Sequence, residues 1–519
     1  DVCWIRAVTG KKMKGRIVDT MIAGSVIDEN RFKYSLDSLS KDYKIGSKYQ
    51  YDLQQKTLEW SKGTIKDPMT NMHKLPASIV KDYAKQDVDL TFKLWKKFDK
   101  KLDEVLYTNE KKESKTCRKI FELETELFLC LVDMKFKGVR IDVLKLRLLG
   151  EELRKKRDDI LNLIKKETGL EIKIWAASSI KELLEKRKIT DYKKTPKSGM
   201  PSLPKDYLAT HKDEFLRKVV EAREYDKAAN TFVDGLLSFV YKGRIHADVN
   251  QIRGDSGGTV TGRFSMSNPN LQQIPSKGDI GKKMREVFLP EPGYKWGSFD
   301  YSQQEPRIVV HYALIHNCKG TEELKEKFNK DKADFHQIVA DMAKISRKQA
   351  KTINLGLFYG MGKNKLRVEL GLEQAGAKKL FDDYHKKVPF VKEISEKFME
   401  FSEDEKLIYT LEDRFCRFDR YETVDKRWID LKWQEWDPEA PIINKKTKQI
   451  EGYGKFVDVK LLTEEKARAE AAKKYNIKME EKWEQLDKEE QDKEFKEYYV
   501  PAFTYKALNR MVQGSAADM

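Results

Sequence analysis

The stretch RKQAKTINLGLFYGMG, at residues 347–362, indicates most about what this chain folds into and binds. The side chains that recur in it every four residues are Arg347, Lys351, Leu355 and Tyr359. On an α-helix they form one slowly drifting stripe, with two cations at its N-terminal end and an aromatic ring at the other. Two cations one turn apart can bind a triphosphate, while the leucine and the tyrosine offer apolar and flat surface to a sugar and a base.

A solvated amphipathic helix is the alternative explanation of this stretch. Gly356 and Gly360 disfavour it, because a glycine destabilises a helix interior by about 1 kcal/mol and indicates close approach of another group. We therefore predict a nucleotide-binding helix.

A second candidate site lies just upstream, at Asp300. The apolar run YKWGSFDYS (residues 294–302) predicts a strand that ends in this acid, and the following QQEPRIVVHYALIH predicts a helix. A carboxylate at the exposed end of a sheet can hold a magnesium ion and its phosphate oxygens. Taken alone, the motif is more often a turn former or a helix N-cap.

A third segment, GGTVTGRFSMSNPNLQQIP (residues 257–275), combines Gly, Thr, Asn and Gln donors with Arg263. Such donors suit contacts to a nucleic-acid backbone and to minor-groove base edges. The alternative is an ordinary polar loop. The order Arg263, Asp300, Arg347 and Lys351 favours a common site over three unrelated features.

Composition narrows the function classes. The 519 residues predict three or four domains, and 102 Lys and Arg against 85 Asp and Glu give a net charge of +17 and a pI near 9.2, as in proteins that bind polyanions. A Lys-rich composition can also reflect a biased genome. The five scattered cysteines predict free thiols in a reducing compartment. No apolar run approaches the roughly 18 residues that span a bilayer, so we expect a cytoplasmic protein without a membrane partner.

The pattern changes several times along the chain. Residues 1–105 alternate short apolar runs such as GRIVDTMIAG with helical ones, which predicts a compact α/β domain. Long charged helices with a loop at their tip are predicted for 106–248, turns and strands for 249–312, and helices again for 313–400. Residues 419–500 are the most charge-dense part of the chain and are predicted to be an insertion. Within them, TEEKARAEAAKKYNIKMEEKWEQLDKEEQDKEFKEY (residues 463–498) has the Ala, Glu and Lys content of a solvated helix.

Four segments closely resemble, in order and spacing, the motifs of the family A DNA polymerases: TGRFSMSNPNLQQIP, FDYSQQEPR, RKQAKTINLGLFYG and ALNRMVQGSAAD. The wording of the second is more similar to bacteriophage replicases than to bacterial housekeeping enzymes. The resemblance covers nearly the whole chain. It implies an α+β multidomain fold, with a partial RNase H-like 3′-to-5′ exonuclease domain followed by a right-hand polymerase whose C-terminal palm is truncated.

The resemblance also implies a domain plan and an activity. The plan is exonuclease at 1–105, thumb at 106–248, palm at 249–312, fingers at 313–418, the charged insertion at 419–500 and a returning palm segment at 501–519. The implied activity is the template-directed addition of dNTPs to a primer 3′-hydroxyl in DNA replication. It would use two Mg²⁺ ions and primer-template DNA, in a monomer that works in the cytoplasm of a host cell if the protein is viral.

Five residues would do the chemistry of this reaction if the family's roles carry over. Asp300 would hold both Mg²⁺ ions, assisted by the carbonyl of Tyr301. Glu305 would be the steric gate that excludes a ribose 2′-hydroxyl. Arg347 and Lys351 would bind the triphosphate, and Lys351 would also donate a proton to the departing pyrophosphate.

The remaining implied contacts surround the new base pair. His336, in the segment ADFHQIVA with Asp334, would touch the nucleotide phosphates, and Tyr359 would stack near the template base. Leu355 would face the nucleotide sugar, where most members carry Phe or Tyr, so nucleotide selection is in question. The residues implied to contact primer and template are Arg263, Asn270, Gln272, Asn509 and Gln513. Two further departures from the family pattern are Pro306 and Tyr505.

The first domain contains its own candidate site. In DYAKQDVDL, Tyr83 and Asp87 lie one helical turn apart and could orient a water and bind a metal, although such a pair is more often structural. The resemblance implies that they form the third exonuclease motif, with Asp1 near the aspartate of the second, and that the first motif precedes the chain. Asp19 would be structural.

Two further expectations concern charged residues at the thumb and the C-terminus. In the thumb, Arg223 and Lys227 could contact phosphates, or could be ordinary exposed helix charges. The second polymerase aspartate would lie beyond QGSAAD, and Asp518 is expected to have no catalytic role. We therefore expect the chain as given to be inactive by itself.

Two rival functions stay open. A single-subunit RNA polymerase shares the aspartate and the Lys-to-Tyr-Gly pattern, although Glu305, the TGR segment and the exonuclease-like domain argue against it. A non-catalytic DNA-binding fragment is the other alternative.

Overall fold

A computed structural model of the chain describes residues 2–31, 33–195, 199–254, 257–330, 334–358, 366–367, 370–424, 426–429, 432–443, 450–479 and 482–519. Within those ranges the fold is a mixture of helices and short antiparallel strands, with five separate hydrophobic cores.

The N-terminal region is helical. Its helices are α1 (Val2–Thr9), α2 (Thr20–Ile27), α3 (Leu36–Asp42), α4 (Gln50–Trp60) and α5 (Ala77–Leu102). The prediction of alternating strands and helices is wrong for the described residues before Tyr107, which form no strand. The apolar run that suggested a strand follows Asp19, whose side chain accepts a hydrogen bond from the Met21 amide at 2.7 Å and so starts a helix.

Long helices fill the next region, as predicted. They are α6 (Arg118–Lys137), α7 (Val143–Thr168), α8 (Ala177–Lys186), α9 (Lys205–Thr210), α10 (Glu214–Lys227) and α11 (Gly235–Ser238), with a π-helical segment at Ala228–Asp234. Asp142 caps α7, and Gly169, at φ 73°, ends it in the left-handed conformation that glycine adopts without strain. A small hairpin, β4 (Lys193–Lys194) and β5 (Pro201–Ser202), lies in the predicted tip loop.

Short antiparallel strands support this helical region. They are β1 (Tyr107–Thr108), β2 (Ser114–Lys115), β3 (Val139–Ile141), β6 (Val240–Tyr241), β7 (Arg244–Ile245), β8 (Asp248–Asn250), β9 (Ser265–Ser267) and β10 (Phe288–Leu289). The helix α12 (Gly278–Arg285) lies between β9 and β10 in the sequence. The largest sheet has the order β10-β3-β7-β6. Its buried side chains pack against α7, which places the sheet beneath the helices.

The predicted strand that ends in Asp300 is not formed. Among the described residues no strand pairs with the segment 290–303, and a strand without a neighbouring strand lacks the backbone hydrogen bonds that stabilise it. The aromatic side chains of this segment therefore face outward, and Phe299 is 97 % exposed.

Helices surround the largest core. They are α13 (Gln304–Ile315), α14 (Thr321–Asn329), α15 (Phe335–Ala343), α16 (Arg347–Phe358), α17 (Gln374–Lys387), α18 (Pro389–Asp404) and, from the C-terminal segment, α21 (Ala507–Asp518). The hairpin of β11 (Leu407–Tyr409) and β12 (Phe415–Arg417) closes one side. The helices predicted for 313–400 are thus present.

The charged region at 419–500 is a folded subdomain, in which the segment predicted to be a solvated helix, residues 463–498, contributes two helices with many exposed side chains. Its strands are β13 (Arg420–Thr423), β14 (Arg427–Ile429), β15 (Lys432–Ile443), β16 (Ile450–Asp458), β17 (Leu462–Thr463) and β18 (Tyr499–Pro501), and its helices are α19 (Glu464–Met479) and α20 (Lys488–Tyr498). Aromatic and alanine side chains buried between these elements form a separate core. The sequence did not reveal this core, because its few apolar residues are widely spaced among many charged ones.

The N-terminal helices share a core with the polymerase-like part of the chain. Phe415 of β12 is buried in the same cluster as residues of α2, α5 and α6. Beside it, Nη1 of Arg417 lies 2.6 Å from Oε2 of Glu29, and both side chains are largely buried. The side chain of Asn30 also donates to the Arg417 carbonyl at 3.0 Å.

Candidate nucleotide and DNA site

Side-chain hydrogen bonds join the helices that bear the predicted catalytic residues. Oε1 of Gln303, which immediately precedes α13, accepts from the Phe335 amide at the start of α15 at 2.7 Å. Gln304 donates to the Ala516 carbonyl of α21 at 3.0 Å. These bonds fix the start of α13, next to Asp300, against α15 and α21.

Asp300 and its neighbours form the exposed side of the site. Asp300 and Tyr301 lie in the irregular segment that leads into α13 and are both exposed. Glu305, in the first turn of α13, is paired with the guanidinium of Arg263 from the TGR loop. The two residues predicted to act as gate and as DNA contact are thus joined to each other. In the described parts of the chain there is no group of three or more His, Cys, Asp or Glu side chains that could hold a metal ion.

The predicted nucleotide-binding helix exists as α16, and its first turn carries the cations. Nε of Arg347 lies 2.7 Å from Oδ2 of Asp334, while Lys351 one turn later is exposed. Asp334 also caps α15 by accepting from the Gln337 amide at 3.1 Å. Partial burial opposes ionisation of Asp334, but the bonds from Arg347 and from the helix amides lower its pKa below the ordinary value.

His336 is buried at the junction of α15, α16 and α17. Nδ1 of its ring lies 3.2 Å from Nδ2 of Asn354, and the hydroxyl of Tyr384 donates to Oδ1 of the same asparagine. Burial lowers the pKa of His336, whereas the charge of Asp334 raises it. Arg347 and Lys351, the two cations of α16, add to the lowering. The burial of the ring and the cations of α16 thus favour the neutral imidazole. Sequence reasoning missed the asparagine and the tyrosine, because no spacing signal connects them to the histidine.

Three predicted site residues cannot be placed. Asp1 and Tyr359 lie outside the described residues. Leu355 lies on α16, but its side chain is outside the described part of the structure.

The predicted DNA contacts fall into two groups. Asn270 accepts from the Gln272 amide at 3.0 Å, and Gln272 donates to the Phe264 carbonyl at 3.2 Å, so both also shape the loop that holds Arg263. Asn509 and Gln513 lie one turn apart on α21, both partly buried. Among the described residues, Nδ2 of Asn509 is buried without a hydrogen-bond partner.

A buried ion-pair network lies beneath the TGR loop. Arg414 is paired with Asp518 at 2.6 Å and with Glu124 of α6, and Thr410 donates to Asp518 at 2.7 Å. A Cβ atom on Gly262 would lie 2.6 Å from the guanidinium carbon of Arg414, so the loop rests directly on this side chain. The carboxylate of Asp518 is therefore occupied by structural bonds to Arg414 and Thr410. Sequence reasoning missed Arg414, which matches no motif that we recognised.

At the predicted exonuclease site, Tyr83 and Asp87 of α5 face a lysine. Nζ of Lys48 lies 3.1 Å from Oδ2 of Asp87 and 3.2 Å from the hydroxyl of Tyr83. Partial burial disfavours the ammonium, but these two contacts raise the pKa of Lys48 above its ordinary value. Lys48 lies in a separate turn 35 residues upstream of Tyr83, and nothing in its sequence neighbourhood identified it.

The two thumb cations differ. Arg223 donates to the Ile174 carbonyl at 2.7 Å, its guanidinium carbon lies 5.3 Å from the centroid of the Trp175 ring, and burial lowers its pKa. Lys227 is exposed at the end of α10.

Comparisons with known proteins agree with this architecture. The profile described as DNA polymerase family A matches residues 144–430, and the profile described as 3′-5′ exonuclease matches residues 1–103. The DNA polymerase DpoZ of Acinetobacter phage SH-Ab 15497 is 32 % identical over 448 residues, covering 77 % of this chain and 69 % of the phage protein. DNA polymerase I of Borreliella burgdorferi is 30 % identical over 387 residues, covering 72 % and 39 %.

A solved structure has the same fold. It is the POL domain of Pol1 from M. smegmatis in complex with DNA primer-template and dNTP, with a TM-score of 0.60 and 23 % identity, covering 79 % of this chain and 66 % of that one. No helix in the described residues is long and apolar enough to cross a membrane.

Proposed function

Because this chain belongs to DNA polymerase family A and carries a 3′-5′ exonuclease domain, we propose that it copies a DNA template by transferring dNTPs to a primer 3′-hydroxyl and removes misincorporated nucleotides. The observation that carries the proposal is the position of α16. Its two cations act electrostatically on the buried His336 of α15, and the start of α15 is hydrogen-bonded to the start of α13, which bears Glu305.

The triphosphate would be bound by three groups of different strength. Arg347 is held in place by Asp334, so its guanidinium is already oriented when a nucleotide arrives. Lys351 is exposed and can swing onto the phosphates, where it would also give a proton to the departing pyrophosphate. The neutral imidazole of His336 would add a hydrogen bond without adding charge.

Metal binding would depend on Asp300 and the carbonyl of Tyr301, which are the hard oxygen ligands that Mg²⁺ prefers. Because the described residues contain no group of three or more His, Cys, Asp or Glu side chains that could hold a metal ion, the phosphates of the substrate and further acids would have to complete the coordination. When bound, Mg²⁺ supplies neutralisation of the charge that develops on the phosphates. We further propose that the protein acts as a monomer in the cytoplasm.

Selection of deoxyribose would rest on Glu305. Its carboxylate is only 14 % exposed and is fixed by Arg263, so it cannot turn aside to admit a 2′-hydroxyl. The pair also couples the gate to the loop proposed to hold the DNA.

Primer extension by the full-length protein tests the proposal. The reactions contain primer-template DNA, Mg²⁺ and either dNTPs or rNTPs. Asp300→Asn is expected to abolish extension, whereas Asp159→Asn, at an exposed position on α7, is the matched control that retains it. Glu305→Ala is expected to increase use of rNTPs relative to dNTPs. Preference of the unaltered protein for rNTPs would identify an RNA polymerase, and DNA binding without extension would identify a binding protein.

A further inference from the structure

The three side chains His336, Asn354 and Tyr384 form a buried relay across α15, α16 and α17. Asn354 has no exposed surface, and Tyr384 is almost completely buried. Because water barely reaches Asn354 or Tyr384, their polar side-chain atoms need partners within the protein, and among the described residues both hydrogen bonds lie within the relay. This restriction makes the direction of the hydrogen bonds derivable.

The direction starts at Tyr384. Among the described residues, Oδ1 of Asn354 is the acceptor that its hydroxyl reaches. A buried hydroxyl that donates to nothing costs about 1–3 kcal/mol, so the amide oxygen turns toward the tyrosine. The amide nitrogen then faces His336 and has only hydrogens to offer. Nδ1 of the histidine must accept, and the ring hydrogen is left on Nε2.

We propose that Tyr384 and Asn354 are positioning residues that hold His336 as the single neutral tautomer with its hydrogen on Nε2, available to an oxygen of the nucleotide triphosphate. The part concerning the nucleotide rests on the proposed polymerase function. The part concerning the tautomer depends only on the relay.

The surrounding charges agree with this assignment. The charged groups that act on the ring are Asp334 at the start of α15 and Arg347 and Lys351 on α16; α17 contributes the relay tyrosine. Protonation of Nδ1 would set an N–H of the ring against the amide hydrogens of Asn354, which is repulsive. The lowered pKa of His336 is therefore the direction that the relay requires.

The relay has a functional advantage at this position. A neutral donor can release its phosphate partner more readily than an imidazolium, while the cations on α16 supply the charge. The tautomer also fixes which edge of the ring donates, so no rearrangement is needed when a triphosphate binds.

Nuclear magnetic resonance of the full-length protein with ¹³C-labelled histidine rings tests the tautomer directly. The ring carbon shifts distinguish the two neutral forms and the imidazolium, and His336→Gln assigns the signal among the seven histidines. We expect the Nε2–H form at pH 7. A ring that is protonated on Nδ1 would overturn the proposal.

Two variants test whether Asn354 and Tyr384 set the tautomer of His336. Asn354→Asp replaces the amide donor by a carboxylate acceptor of the same shape, and should raise the ring pKa of His336 by about 1 unit or more. The pH at which the KM for dNTPs changes should then be higher than in the parent. Tyr384→Phe leaves the side-chain amide of Asn354 free to turn over. The carbon signals of the His336 ring should then shift toward the Nδ1–H tautomer or the imidazolium.

Tyr34→Phe is the matched control, because it also removes a buried tyrosine hydroxyl, one that donates to the Asp28 carbonyl at 2.7 Å in the N-terminal region. It should leave the His336 signal unchanged. An unaltered signal in Asn354→Asp would refute the relay. A shifted signal with no change in dNTP binding would uphold the relay and instead remove His336 from the nucleotide site.

Discussion

Replacement of Arg414 by methionine should destabilise the polymerase core more than almost any other single change of charge. Arg414 lies between two carboxylates that water barely reaches: the side chain of Glu124 is 2 % exposed and that of Asp518 is 0 % exposed. Methionine retains much of the side-chain volume but removes the positive charge. Both acids would then be buried without their cation.

The magnitude follows from that burial. Removing one partner of a buried ion pair costs about 3–5 kcal/mol, because the remaining charge keeps its desolvation penalty without compensation. Arg154 offers a matched control, since its ion pair with Asp234 is substantially exposed and such pairs contribute about 0–1 kcal/mol. Arg154→Met should therefore have little effect.

The pH dependence gives a second criterion. Burial raises the pKa of Asp518 above its ordinary value of 3.8 in the folded chain, although Arg414 opposes this. A carboxyl whose folded pKa is raised binds its proton more tightly when folded, so its contribution to stability falls as pH rises through that window. Without the guanidinium the pKa rises further, and part of the stability lost in Arg414→Met should return on acidification.

Native-state hydrogen exchange of α21 amides is the appropriate assay, because a chain with several cores need not unfold in one step. The opening free energy of α21 should fall by about 3–5 kcal/mol in Arg414→Met and by less than about 1 kcal/mol in Arg154→Met. Equal effects of the two variants, or a loss in Arg414→Met that grows on acidification, would refute the reasoning.

Three further predictions concern single polar groups. Lys48→Met removes an ammonium that competes with a cation at Asp87, so exonuclease activity of the full-length protein should reach half its maximum at lower Mg²⁺ concentration; an unchanged titration contradicts this. Asp334→Asn keeps the helix cap but removes a charge that raises the pKa of His336, so that pKa should fall, and a rise measured by magnetic resonance would contradict it. Asp487→Ala removes the capping box of α20 and should reduce exchange protection there by about 1 kcal/mol, whereas Asp487→Asn should cost less; equal losses would exclude the cap as the cause.

Local signals predicted the parts of the site that consist of one element. Arg347 and Lys351 are four residues apart, and a helix places them on one face whatever surrounds it, so α16 was predictable. The family motifs also predicted the polymerase and exonuclease assignments that the comparisons confirm. The individual roles of the site residues stay predictions.

Contacts between distant segments were not predictable from spacing. Asn354 and Tyr384 are 30 residues apart, and each looks like an ordinary helix residue until the helices pack. The same limit explains the errors in secondary structure. An apolar run before Asp300 suits a strand, yet a strand also needs a pairing neighbour, which its own sequence does not reveal. The apolar run after Asp19 became a helix because of the cap.

The core shared by the N-terminal helices and the β11–β12 hairpin has a mechanical consequence. Phe415 and the Arg417–Glu29 ion pair join the exonuclease region to the polymerase region through buried contacts. We expect the two regions to move together as one rigid unit. Under the proposed proofreading function, a mispaired primer end would have to unwind and cross a fixed distance, so the rate of strand melting, rather than a domain rotation, would set how often an error is corrected.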